Sequence, residues 1–380
     1  MNRLLALFAV LFLGACSSTD EIDIEPKELE DFAPKVKLQE LWSVSVGAGQ
    51  DERYSRFVPA IEGDTIYAVD VEGEVFAFDK NKGKEQWSVE LDQAISAGVG
   101  LSARALLLGS YKGEIIALSK QDGSELWRTV LSSEVVSEPT ASAGVVVATT
   151  NDGRLYGLDG ESGEIKWFFE SVQPVLTLRG TSAPVVRGDV VIAGFDNGKV
   201  FAFDIHTGLI QWEQRVAVPK GKTELERIVD IDGTPFLAGD ILYAVSYQGR
   251  LMAFTSATGR PLWAEEASSV QGPAADYSQV YIAGEQDKVQ AFSSATGVKV
   301  WENNDLLRRK LSPPAVLGSY VAVADLEGYL HLLDKDTGVM AARTSVDGDG
   351  VRARMLVEND ILYILGTGGE LSAWRLKPLK

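Results

Sequence analysis

Asp196-Asn197-Gly198-Lys199-Val200-Phe201-Ala202-Phe203-Asp204-Ile205-His206-Thr207-Gly208-Leu209-Ile210-Gln211-Trp212 is the stretch that decides the fold. Asn-Gly marks a tight hairpin turn, because both residues accept the positive φ that such turns need. Lys199 to Asp204 alternates Val200 and Ala202 against Phe201 and Phe203, the two-residue period of a strand. His206-Thr207-Gly208 turns the chain again, and Ile210 to Gln214 forms a further strand around Trp212. Upstream, Ala183 to Val186 and Val190 to Phe195 flank Arg187-Gly188-Asp189, so the unit holds four short strands.

The unit recurs. Gly, then Gly ten residues on, then Trp four residues later appears as Gly73-Gly83-Trp87, Gly113-Gly123-Trp127, Gly153-Gly163-Trp167, Gly198-Gly208-Trp212 and Gly249-Gly259-Trp263. Asp287-Gly297-Trp301 is a sixth copy, Gly328-Gly338 a seventh with Ala342 in place of Trp, and an eighth starts at Gly369. Successive starts lie 40, 40, 45, 51, 38, 41 and 41 residues apart. Pro59, Pro139, Pro184, Pro235, Pro273 and Pro314 each stand 14 residues before their repeat, where a residue without an N–H donor suits a strand start. Four-stranded units of this length, repeated, predict an all-β, eight-bladed β-propeller of antiparallel sheets. The last unit lacks an outer strand, and Leu41-Trp42-Ser43-Val44-Ser45-Val46 supplies one, so the N-terminal strand is expected to close the ring in the last blade. Trp42, Trp87, Trp127, Trp167, Trp212, Trp263 and Trp301 then read as inter-blade wedges, since a ligand box would not need a copy in every blade.

Outside the repeats, the N-terminus carries an export signal. Asn2-Arg3 precedes an apolar run from Leu4 to Leu13 and then Gly14-Ala15-Cys16, so residues 1–15 read as a signal peptide. That run is too short to span a bilayer as a helix. Cys16 is the single cysteine of the chain, which leaves no intramolecular disulfide. Residues 16–38 are acidic with Pro26 and Pro34, and read as a tether, a short docked segment being the alternative; residues 39–380 are assigned to the propeller. The 54 acidic against 36 basic side chains give a net charge of -18, which excludes a nucleic-acid surface.

Ala-Phe-Asp-x-x-Thr-Gly-x-x-x-Trp resembles the repeat of pyrroloquinoline-quinone (PQQ) dehydrogenase propellers. Eight copies together with Gly14-Ala15-Cys16, an acidic tether and two loop segments resemble the BamB family, lipoprotein subunits of the β-barrel assembly (BAM) complex. The resemblance implies lipidation at Cys16. Ser17-Ser18 after it implies the outer membrane, with the protein on the periplasmic face. It implies a non-enzymatic scaffold that binds the periplasmic POTRA repeats of BamA, meets other BAM subunits indirectly, and supports folding and insertion of β-barrel clients. By family carry-over, the BamA contacts are Leu176, Leu178 and Arg179 in Val175-Leu176-Thr177-Leu178-Arg179-Gly180, and Asp230 and Asp232 further on.

Repeat length points to the same place. Only the units followed by 45- and 51-residue intervals are long, and excess repeat length becomes loops on one face, often the binding face. Leucines beside an arginine suit an interface; the alternative is that Leu176 and Leu178 fill a blade edge and Arg179 pairs with a nearby carboxylate. Enzymatic chemistry has little to stand on. His206 and His331 fall in different blades without metal-ligand spacing, and nucleophile elbow, P-loop and dinucleotide fingerprint are absent. Asp70, Asp79, Asp159, Asp204 and Asp334 stand at repeated turn positions, which fits capping. No cofactor is expected. A small ligand in the central channel is the remaining rival.

Overall fold

The repeated glycine and tryptophan meet between neighbouring blades, and that contact organises the ring. The computed structural model describes residues 25–50, 55–178 and 180–379. Their strands form eight four-stranded antiparallel sheets. Unit four runs Val185–Arg187, Val190–Gly194, Lys199–Asp204 and Ile210–Arg215, close to the segments expected. First strands of successive blades lie against one another and line a central channel with a cavity of about 850 Å³. Six prolines at one repeat position, from Pro59 to Pro314, face this channel. The only helical pieces among the described residues are single 3-10 turns at Leu225–Arg227 and Glu285–Asp287.

Within each blade the tryptophan faces a small residue on the third strand. Trp87 pairs with Ala77, Trp127 with Ala117, Trp167 with Gly157, Trp212 with Ala202, Trp263 with Ala253 and Trp301 with Ala291. The register shifts immediately after each pair, because one extra residue before the tryptophan forms a bulge. A bulge re-aims a side chain, here toward the next blade. Trp167 Nε1 donates to the Ile205 carbonyl at 2.8 Å and Trp212 Nε1 to that of Ser256 at 3.0 Å. The other five indoles make the same bond one blade on, the longest at 3.2 Å. The ring lies on the turn glycine of that next blade. Gly208 has φ +69°, and a Cβ there would come 2.6 Å from Trp167, so the position excludes other residues on two counts. Each of the seven indoles thus spans the seam to the next blade.

Blade seven inverts the pattern: Leu332 faces Ala342. The reason lies in ring closure. The outer strand of blade eight is Val36–Ser45, paired antiparallel with Glu370–Pro378 and carrying the same bulge before Trp42. Blade eight therefore has no hairpin turn on which a blade-seven tryptophan could rest. The incoming chain crosses there instead, with Lys35 N–H on the Ala341 carbonyl at 2.8 Å and Val36 buried against Ala341 and Ala342.

The signal segment, Cys16 and residues up to 24 lie outside the described residues. The boundary expected at residue 39 falls inside the closing strand, which starts at Val36. Residues 25–35, read as tether, lie docked on blade seven, the alternative of the sequence reading. Arg308, Arg309 and Arg343 donate to the carbonyls of Glu25, Lys27 and Glu30 at 2.7, 3.0 and 3.2 Å. Leu29 and Phe32 pack on the apolar seam between blades six and seven. Arg309 is itself held by Asp325 at 2.6 Å, which also meets His331 at 3.0 Å; all three are buried.

Gly208→Ala should cost about 1–3 kcal/mol and Trp167→Ala about 3–5 kcal/mol in urea unfolding followed by circular dichroism. In the Trp167→Ala background the glycine penalty should shrink, because the atoms it meets are gone. Deleting residues 25–35 should lower the urea midpoint while leaving the β spectrum intact, because the closing strand remains.

Candidate protein-binding loops and the acid cluster beneath them

Strands alternate in direction, so every connection from an outer strand to the next inner strand lies on the same face of the ring. The longest, residues 216–235, follows blade four; residues 171–184, after blade three, equal in length the connection 46–59 from the closing strand into blade one. Exposed apolar side chains gather on the loops after blades three and four: Val172 and Val175 are each 83% exposed, Leu225 67% and Leu176 44%. Phe168, on the strand leading into the first loop, is also exposed. Such side chains on a monomer mark an interaction surface when they cluster. Leu178 is half-buried, and Arg179 lies outside the described residues.

Each loop is held by its own bonds. Glu226 accepts from the backbone of Lys222 and Thr223 at 2.6 and 3.2 Å, while Thr223 Oγ1 accepts from Glu226 N–H at 3.3 Å, a reciprocal cap on the 3-10 turn. Gln248 Nε2 donates to the Leu225 carbonyl at 3.3 Å. In the first loop, Thr181 Oγ1 bonds Ser137 Oγ at 3.1 Å, and Thr149 Oγ1 donates to the Ser182 carbonyl at 3.0 Å.

Asp230 and Asp232 are not on the surface, where a partner-contacting acid would have to be. They are buried, at 0% and 6% exposure, flanking the buried Ile231 that packs on Gly194 of blade four. Asp230 Oδ2 accepts the backbone N–H of Leu178, and Asp232 lies under Gly180. The two acids thus fasten the first loop from below. The structure adds a third acid that the sequence reading missed, Asp196 of the blade-four hairpin, which is also buried. Asp196 stands two residues before Gly198, a position held by Val71, Tyr111, Asn151, Tyr247, Glu285, Leu326 and Thr367 in the other units, so a polar residue there did not single it out.

Oxygens of Asp196, Asp230 and Asp232 lie within 4.8 Å of one another. Burial raises all three: Asp230 to about 8, helped by both neighbouring carboxylates, Asp196 to about 7, helped by Asp232, and Asp232 to about 6, with Arg56 pulling the other way. Elsewhere the aspartates do what turn positions demand. Asp70, Asp79, Asp159, Asp204 and Asp334 each accept backbone N–H groups two to four residues ahead. His331 is bound to Asp325 inside blade seven, and His206 lies 3.5 Å from Asp189.

This arrangement defines a class: an eight-bladed propeller of the PQQ-like repeat type whose differentiated face is built from two long loops. A family model described as "Outer membrane protein assembly factor BamB" matches residues 71–303 and 285–377. Relatives of that name share 47% identity in Pseudomonas aeruginosa, covering 98% of both chains, and 39% in Kangiella koreensis, covering 93% and 91%. The solved structure of BamB from Moraxella catarrhalis superposes with a TM-score of 0.83 at 29% identity, covering 89% of this chain and all of that one. The chain belongs to the family of outer membrane protein assembly factor BamB, a family of assembly factors and not of enzymes. A europium-containing methanol dehydrogenase, with a TM-score of 0.71 at 14% identity, shares the fold alone.

The acid cluster fixes a pH dependence. A carboxyl whose folded value is raised contributes stability that is full below its unfolded value near 4 and is lost as pH rises through the folded values, here about 6 to 8. In chelator-treated protein, Asp230→Asn should therefore raise stability at pH 8 by about 1–3 kcal/mol. At pH 4 it should leave stability nearly unchanged, both read from urea midpoints.

Proposed function

We propose that this chain is a non-enzymatic scaffold subunit of outer-membrane protein assembly, whose loops 171–184 and 216–235 grip the POTRA repeats of BamA. Lipid at Cys16 holds it on the periplasmic face of the outer membrane. Other subunits of the BAM complex are met through BamA, and unfolded β-barrel clients are brought near the insertion machine. Family membership supports the assembly role.

The observation that carries the partner site is the pairing of exposed apolar side chains with a rigid underlay. Val175 and Leu176 stand out from a loop whose backbone is tied to buried Asp230 at Leu178. A pre-ordered apolar loop loses little entropy on docking, so its buried area converts efficiently into affinity. Leu176 and Arg179 are contact residues in this reading, and Leu178 anchors the loop while offering its exposed part. Asp230 and Asp232 are positioning residues, because their carboxylates are covered.

Calorimetric titration of the protein against the periplasmic POTRA region of BamA should show saturable binding. Leu176→Ala combined with Arg179→Ala should weaken it at least tenfold, about 1.4 kcal/mol, with circular dichroism unchanged. Binding that the double variant leaves intact would move the interface elsewhere on the ring, and absence of binding by the folded protein would sink the reading.

A further inference from the structure

Of the six buried aspartates among the described residues, Asp70, Asp325 and Asp347 are satisfied by the protein itself. Asp325, with no exposure, has Arg309 at 2.6 Å, His331 at 3.0 Å and the N–H groups of Glu327 and Tyr329 at 3.0 Å. The cluster under the loops is different. Among the described residues no lysine, arginine or histidine forms an ion pair with Asp196, Asp230 or Asp232. Among the described residues, Asp230 Oδ1 and Asp232 Oδ1 are both buried with no hydrogen-bond partner, in side chains more than nine-tenths covered. Arg56 acts on Asp232 only at longer range.

Three carboxylates packed this closely repel one another, and a buried acceptor left empty costs the desolvation of that group. Bound protons relieve that repulsion below the raised values of about 6 to 8, and a bound cation would relieve it above them. We propose that Asp196, Asp230 and Asp232 form a binding site for a hard divalent cation of the size of Ca²⁺, clamped between the blade-four hairpin and the connection to blade five.

The donor set and its spacing fit that ion. All three donors are carboxylate oxygens, which suit Ca²⁺ and Mg²⁺ and not the thiophilic metals. Ligand oxygens at about 2.4 Å from Ca²⁺ stand up to twice that far apart, and those of the three aspartates lie within 4.8 Å. Mg²⁺ dehydrates reluctantly and is usually held by one or two carboxylates with several waters, so a site of three carboxylates favours Ca²⁺. Asp230 uses Oδ2 for the Leu178 N–H and keeps Oδ1 for the ion. Remaining coordination positions fall to water. Asp232 borders a small cavity of about 80 Å³, with Thr181 and Arg56 beside it, at the mouth of the channel. A bound cation would tie Asp230, and through it the Leu178 backbone, to the rigid hairpin at Asp196. The consequence for BamA binding rests on the proposed function; the site itself does not.

The test uses chelator-treated protein at pH 8, titrated calorimetrically with CaCl₂ and separately with MgCl₂. One saturable Ca²⁺ site is expected, with weaker Mg²⁺ binding and a raised melting temperature in Ca²⁺. Asp232→Asn and Asp196→Asn should each weaken Ca²⁺ at least tenfold, while Glu161→Gln, a surface acid elsewhere, should leave it unchanged. Soaking wild-type crystals with Mn²⁺ gives an answer independent of the variants, as anomalous density between the three carboxylates. The proposal is overturned if the folded wild type shows no saturable site, or if binding survives both asparagine variants. It is equally overturned if Ca²⁺ binds only after Arg179→Ala, since a side chain of the protein then fills the space. Failure to bind BamA with Ca²⁺ binding intact would count against the proposed function alone.

Discussion

The tryptophan of one blade lying on the turn glycine of the next is the contact on which the ring depends. A four-stranded sheet cannot bury both faces alone, so each blade is stable only against its neighbours. The seam needs a large side chain aimed out of its own sheet, and four features of the repeat serve that aim. An alanine or glycine sits opposite the indole, a bulge turns it outward, a neighbouring carbonyl accepts its Nε1–H, and a glycine without Cβ leaves room for its face. None of these alone would define the seam. Gly157 shows how tight it is, since a Cβ there would meet Trp167 at 2.1 Å.

Closure follows from the same rule. At the junction of blades seven and eight the hairpin turn is replaced by the incoming chain at Lys35 and Val36, and Leu332 opposite Ala342 stands where other blades have alanine opposite tryptophan. The closing strand keeps the bulge and the wedge at Trp42 although its partner strand is more than 300 residues away in sequence. Arg343 of blade seven, with Arg308 and Arg309 of the connection leading into it, then fixes the backbone before that strand by its carbonyls, a recognition that depends little on which side chains the segment carries.

The two long loops sit on this rigid base. Beneath them the protein places three carboxylates where hydrophobic packing would have been more stable in isolation. Sites that trade stability for function in this way are where local rules of sequence and packing are expected to break. The exposed Val175 and Leu176 above and the buried Asp230 below are joined through the Leu178 backbone.

Blade number, strand order, the closing strand and the tryptophan repeat were legible in the sequence, because each recurs at a fixed offset and strand alternation has a short period. The turn aspartates were legible for the same reason, as their bonds reach only a few residues ahead. The sequence left open whether residues 25–35 dock, since an acidic, proline-containing segment is held there by arginines some 280 to 310 residues away. Nor could the burial of Asp230 and Asp232, because two acids in a long loop look solvated until the hairpin and the first loop close over them. Sequence alone determined the ring, whose contacts repeat. Only the tertiary structure decided the acid cluster, which brings Asp196, Asp230 and Asp232 together once, between segments that nothing in their spacing relates.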